Sequence, residues 1–162
     1  MSTRFLSTKV IPLGSCAFRQ PFAESHCKFL HGYRLQAKFW FACDHLDKNN
    51  WAVDFGSLKK LKEDLEKAFD HKTAIWRKDP ELKTFEELES KGIIELSIFE
   101  EGVGIERFAE YCFDHANFVI QAMTNSRCWC ERVEVWEHEG NSAIYEGRQI
   151  VSNKEALETF KS

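Results

Sequence analysis

No stretch of this 162-residue chain is apolar for long enough to cross a membrane as a helix, since its hydrophobic runs fall far short of the roughly 20 residues required. Nor is there an excess of positive charge: 22 lysines and arginines stand against 26 aspartates and glutamates, a formal net charge of -4, and no basic stripe stands out. That argues against general nucleic-acid binding, which needs phosphates neutralised along a basic surface. The six cysteines, Cys16, Cys27, Cys43, Cys112, Cys128 and Cys130, lack the paired spacing of a secreted disulfide scaffold. Reduced, buried thiols are the expectation. Cys128-Trp129-Cys130 falls short of a Cys-x-x-Cys motif, and in a strand its two thiols point to one face as packing residues. A structural zinc there would need two more ligands that the neighbouring residues do not offer. Internal repeats and low-complexity tracts are missing too. The start Met1-Ser2-Thr3-Arg4 leads into an alternating segment rather than a signal-peptide core, so a cytoplasmic protein is expected.

What is present is the composition of an ordinary globular domain, 43% hydrophobic and 30% charged, at a length for which one domain with a sizeable core, here 1–162, is the default. Leu35, Ala37, Phe39, Phe41 and Cys43 alternate with Arg34, Gln36, Lys38 and Trp40, the period of two of a half-buried strand from Tyr33 to Cys43. The apolar segment Lys9 to Phe18 supplies its hairpin partner. After the turn-like Asp47-Lys48-Asn49-Asn50, Asp54 stands where a helix cap belongs, and Leu58, Leu61, Leu65 and Ala68 follow at helical spacing up to Asp70-His71. A second helix is written in Ile105, Phe108, Ala109, Cys112, Phe113, Ala116, Val119, Ile120 and Met123, which recur every three or four residues. Arg127 to His138 and Ser142 to Val151, joined at Glu139-Gly140-Asn141, read as two further strands, and Asn153 to Phe160 as a short last helix. Strand, strand, helix, helix, strand, strand predicts an α+β fold, a four-stranded antiparallel sheet with two helices packed on one face. Between Lys72 and Glu101 lies a charged stretch with Pro80, a helix pattern at Thr84 to Ser90 and a strand-like Ile93 to Phe99. It reads as a surface insertion of about residues 72–101, covering part of a neighbour or a site entrance.

Cys27-x-x-x-His31-Gly32-Tyr33, the run Asp54-Phe55-Gly56-x-Leu58-Lys59 and the pair Asp70-His71 are weak signals one by one, because a cysteine and a histidine so spaced are more often core residues than a site. Together and in this order they resemble the family of 6-pyruvoyl-tetrahydropterin synthase and 6-carboxy-tetrahydropterin synthase, from about Val10 to Gly147 with the insertion interrupting. The resemblance implies that family's tunnel fold. It also implies a lyase that breaks carbon-oxygen or carbon-carbon bonds of 7,8-dihydroneopterin triphosphate or a related reduced pterin, in queuosine or tetrahydrobiopterin biosynthesis. A homo-oligomer, a hexamer, with sites at subunit contacts follows from the same likeness and would cover the edges of an open sheet.

Roles come with it. Cys27 takes the position of the general base that moves protons on the pterin side chain, provided that nearby positive charge or metal lowers a thiol pKa of about 8.5. Asp70 and His71 match a proton relay that works with the cysteine across a subunit boundary, the carboxylate fixing the imidazole's tautomer; a helix C-terminus favouring a cation is the alternative. Glu137, in Val133-Glu134-Val135-Trp136-Glu137, matches the carboxylate that accepts both hydrogen bonds of the ring's amino and N–H edge. Glu106 aligns with a further substrate-site glutamate and is equally explained as a first-turn helix acid.

The family's zinc is held by three histidines, and here only His31 stands in place. Tyr33 lies two residues on and Cys16 replaces the first-strand histidine, so the implied zinc set is His31, Cys16 and Tyr33. Positions 31 and 33 of a strand face the same way, and a thiolate is a good zinc ligand, but a tyrosine hydroxyl with a pKa near 10 is a poor one. His26 offers a replacement, while His45 and His115 have no partner at ligand spacing. Zinc with an altered ligand set, a different metal and a metal-free pocket all stay open. Gly104 and His138 take the places of two family threonines, around Glu106 and after Glu137. These departures support a second reading, a tunnel-fold protein that binds a pterin or purine-like ring without the family reaction.

Overall fold

The computed structural model of the chain describes residues 3–148. Strand β1 (Phe5–Phe18) runs antiparallel to β2 (His31–Cys43) along its whole length, from Phe5 opposite Cys43 to Phe18 opposite His31. The register shifts at Pro12/Gly14, where Gly14 takes φ 100, a conformation that a side chain would strain. After that bulge the buried residues of β1 change from Ile11 and Leu13 to Cys16 and Phe18, all still facing one core. On β2, Leu35, Ala37, Phe39, Phe41 and Cys43 are fully buried, as their alternation predicts.

Asp54 caps a 3-10 turn over Phe55–Leu58 by accepting from the Gly56 N–H at 2.9 Å, and helix α1 (Lys59–Phe69) follows. Its Leu61, Leu65 and Phe69 enter the core. Phe69, rather than Ala68, is the last fully buried residue. The chain then does something that its sequence does not announce. His71 adopts a left-handed φ of 59, turning Asp70-His71 into the stop of α1 and sending the chain directly into β3 (Lys72–Trp76), parallel to β1. Helix α2 (Leu82–Ser90) crosses back to β4 (Leu96–Phe99), parallel to β3.

The stretch expected to be a surface insertion is therefore an edge of the main sheet. That sheet has six strands in the order β4-β3-β1-β2-β5-β6, not four, and is antiparallel only over β1, β2, β5 and β6. In β3 the consecutive residues Thr73, Ala74 and Ile75 are all buried. A strand covered on both faces loses the alternation by which a strand is recognised. Ala74 belongs to the main core, Thr73 and Ile75 do not; α2, whose buried residue is Phe85, serves this second face.

Helix α3 (Ile105–Thr124) lies beside α1 on the main core and packs on β5 (Cys128–His138). Two side chains tie these layers together. Asn117, fully buried, donates to the carbonyls of Phe113 and Cys130 and accepts from the Cys130 N–H, while His115 Nε2 meets Asp64 of α1 at 2.9 Å. Strand β6 (Asn141–Glu146) closes the sheet after the Glu139-Gly140 turn. It ends at Glu146, short of the expected Val151, whose position, like the helix expected at Asn153 to Phe160, lies outside the described residues. Among the described residues no helix is long and apolar enough to span a membrane.

Candidate functional site

Where α1 and α3 no longer cover the sheet, the core face of β2 continues into Tyr33 and His31. Cys16 lies opposite Tyr33, and Phe18 opposite His31. Rings fill this end: His31 and Phe18 stand 5.3 and 6.0 Å from Tyr33, and His138 reaches it from β5 at 6.2 Å between ring centres. Glu137 is half-buried on β5, next beyond Val135 on the side of the strand that carries Val133 and Val135 into the core. Burial first, and then the charges of Glu137 and Cys27, raise the Tyr33 phenol above its ordinary pKa. At neutral pH it is an uncharged hydrogen-bond donor, within electrostatic reach of a carboxylate on one side and a thiol on the other.

Cys27 does not sit on a strand. It occupies a 3-10 turn over His26–Lys28 in the β1–β2 connection, capped by Ser25, whose Oγ accepts from the Cys27 N–H at 3.4 Å. It is half-buried, whereas the other five cysteines are buried and every one is free. His26 beside it is exposed. The Cys27 carbonyl accepts from the Gln20 N–H at 2.9 Å, and the Gln20 side chain in turn donates to the Val103 carbonyl at 2.8 Å. Gly104 makes this possible: a Cβ there would lie 2.6 Å from the Gln20 amide nitrogen. The threonine missing at 104 is thus replaced in space by a glutamine from another loop, a substitution that no local pattern signals. Glu106 stands exposed in the first turn of α3, its carboxylate on the same side of Gly104.

Asp70 and His71 form a unit of their own. The carboxylate accepts from the Ser15 N–H at 3.1 Å and meets His71 Nδ1 at 3.0 Å, and the His71 N–H donates to the Ser15 carbonyl at 2.7 Å. The hydrogen bond with His71, then that from Ser15, hold the Asp70 carboxyl below its usual range. Its oxygen fills the space beside Gly14 that a Cβ would need. His71 opens into a cleft of about 470 Å³ that Cys16, Tyr33 and Lys72 also line, with Ile93, Ile94 and Glu95 of the inserted segment as its far wall. Within one chain, then, Tyr33 gathers Cys27, His31 and Glu137, and shares a different cleft with His71; Cys27 and Glu137 do not line that cleft.

The expected zinc set fails a test of its donors. Cys16 is 2% exposed in the core, and burial pushes its thiol up to about 12, against the thiolate that a metal needs. Tyr33 is shifted the same way, and His31 alone is a neutral donor, with Nδ1 already 2.7 Å from the Phe29 carbonyl. Among the described residues no group of three His, Cys, Asp or Glu side chains is arranged to hold a metal ion. The residues present do not fit zinc.

Comparison with known proteins gives this geometry a context. A family model described as 6-pyruvoyl tetrahydropterin synthase matches residues 15–148. A 6-carboxy-5,6,7,8-tetrahydropterin synthase of Rickettsia conorii is 33% identical over 60 residues, 36% of this chain and 44% of that protein, and the enzyme of the same name from Rickettsia felis is 32% identical over the same shares. The chain thus spans under half the length of these curated relatives. Among solved structures, an uncharacterized protein of Wolinella succinogenes aligns with a TM-score of 0.78 at 16% identity, over 91% of this chain and 100% of that one. The 6-pyruvoyl tetrahydropterin synthase of Caenorhabditis elegans aligns at 0.61 and 18%, over 90% and 97%. At these identities the likeness is one of fold.

Proposed function

Because this chain belongs to the 6-pyruvoyl tetrahydropterin synthase family, matching its model over residues 15–148, we propose that it is a pterin synthase-like lyase acting on 7,8-dihydroneopterin triphosphate or a related reduced pterin. The observation that carries the proposal is the Tyr33 phenol, flanked by Glu137 and Cys27. A pterin offers its amino group and adjacent ring N–H as a two-donor edge, and the Glu137 carboxylate can accept both. That leaves the side chain of the substrate toward Cys27. The proton to be moved lies on a carbon attached to the ring's C=N bond, so the electron pair left behind is taken up by the ring itself, and Cys27 acts as the base. Tyr33, held protonated, donates a hydrogen bond to a side-chain oxygen. Asp70 and His71 complete the relay from a neighbouring subunit, which accords with their place in a separate cleft of their own chain.

Homo-oligomerisation, as a hexamer, belongs to the same proposal. Only Cys16–Phe18 of β1 pair with β3, so among the described residues the outer edge of β1 before Gly14 is unpaired, with Phe5, Leu6 and Val10 exposed, and β6 exposes Ile144 and Tyr145 at the other edge. No step of the proposed reaction passes through a metal.

The test is incubation with 7,8-dihydroneopterin triphosphate. Triphosphate release or side-chain cleavage is expected, and Cys27→Ala should lower the rate by about 100-fold or more, with Glu137→Gln raising KM. Metal analysis of the same preparation should find zinc well below stoichiometry; a full complement would restore the three-ligand set and remove the metal-free mechanism. The second reading, a ring-binding protein without catalysis, draws on the broken donor set. It gains if a reduced pterin raises the unfolding temperature while no product forms.

A further inference from the structure

The turn that carries Cys27 is fixed from outside the loop to which it belongs. Arg19 donates from Nε and Nη2 to the two carboxylate oxygens of Asp79, at 2.9 and 2.5 Å, and from Nη1 to the Lys28 carbonyl at 3.4 Å. Its guanidinium lies over Phe85 of α2, 5.7 Å from the ring centre. The Asp79 side chain is 1% exposed and that of Arg19 19%, and a carboxylate buried so deeply is sustained only by a charged, geometrically matched partner. Asp79 is in turn fixed by its own surroundings: it accepts from the Glu81 N–H at 2.8 Å, and its backbone bonds to Trp76 and Leu82 in the turn from β3 into α2. Burial alone would raise this carboxyl, but the hydrogen bonds from Arg19 and Glu81 outweigh it and hold the group below its ordinary value.

The neighbours of Arg19 repeat the arrangement. Gln20 holds the Cys27 carbonyl, and Phe22 stands edge-on to Trp76 of β3 with ring centres 5.7 Å apart. Residues 19 and 20 therefore grip the carbonyls of residues 28 and 27, while the far end of the Arg19 grip is a carboxylate 60 positions away in sequence. A guanidinium fork fixes direction as well as distance, which a lysine ammonium does not.

We propose that the Arg19–Asp79 pair is a positioning clamp, by which the β3–α2–β4 segment holds the Cys27 turn in place beside Tyr33. Its catalytic consequence rests on the reading of Cys27 as the proton-moving group; the mechanical one does not. The segment thereby acquires a use beyond covering a surface: it is the floor on which the thiol is aligned.

The test uses the full chain carrying Asp79→Asn, with Arg19→Lys as a second variant that keeps the charge but loses the fork. Three quantities are read: amide exchange over residues 20–30, the alkylation rate of Cys27 by iodoacetamide, and steady-state kinetics. Cys27 is the only cysteine that is not buried, so labelling reports on it. Both variants should speed exchange and alter alkylation by about tenfold while the core stays protected, and kcat should fall by about tenfold with KM held within about twofold. Asp79→Glu, which retains a carboxylate, should recover part of kcat. Native exchange and native alkylation in either folded variant overturn the clamp. If Cys27→Ala leaves turnover intact while Asp79→Asn still loosens residues 20–30, the clamp stands and the assignment of Cys27 falls.

Discussion

β2 and β3 both lie inside the sheet, with a strand on either side, yet they are held there in different ways. β2 pairs with β1 over its whole length and puts Leu35, Ala37, Phe39, Phe41 and Cys43 into the core with no accessible surface. β3 is five residues long, pairs with β1 only at Cys16–Phe18, and belongs to a segment whose outer side is laced by charge: Lys72 with Glu95, Arg77 with Glu100, Lys91 with Glu87. Apolar burial is contiguous and insensitive to pH, whereas ion pairs are local and titrate. The two regions are joined by Phe99 of β4, which packs on Phe69 and Phe108 of the main core with ring centres 5.6 and 5.2 Å away. What this contrast teaches is that the edge segment is attached by one aromatic joint and one buried ion pair, and that the ion pair is at the thiol.

The strongest way to probe the contrast is Phe39→Ala, which empties a fully buried position and should cost about 3–5 kcal/mol in chemical denaturation. The edge should unfold with the core in the same transition, because Phe99 shares its aromatic cluster; a separate edge transition would break the comparison. Acid probes the other side. The Asp79 carboxyl is depressed in the folded state, so its contribution is complete above the unfolded value of about 3.9 and disappears as pH falls through the lower folded value. The gap in unfolding temperature between the native chain and Asp79→Asn should therefore be constant from neutral pH down to about pH 4 and close below it. A gap that closes near neutrality would mean that some other group carries the effect. Smallest of all is Arg77→Gln. Its pair with Glu100 is largely in solvent, 48% and 65% exposed, so the loss should stay within about 1 kcal/mol and vanish in high salt.

Periodicity makes the antiparallel half legible in the order of residues: the alternation from Leu35 to Cys43 and the helical recurrence from Ile105 to Met123 each state which side faces the core. Within the inserted stretch the helix and the strand ending at Phe99 are readable, but β3 is not, since Thr73, Ala74 and Ile75 are covered on both faces and alternate in nothing. The site divides along the same line. Glu137 and Tyr33 can be placed because strand parity fixes the side on which each stands. That Cys16 is locked in the core with its thiol pushed up to about 12 depends on Phe18, Ala74 and the bulge at Gly14, which no spacing reveals.

By itself, then, the order of residues determined the four antiparallel strands, the two helices on their inner face and the family resemblance, because apolar periodicity and motif order are properties of consecutive positions. Tertiary structure alone decided that Asp70-His71 ends a helix in a left-handed turn, that the charged stretch joins the sheet in parallel, and that Arg19 finds Asp79 across 60 positions. Those outcomes depend on desolvation and on charge pairing between distant segments, quantities that exist only once the chain has closed on itself.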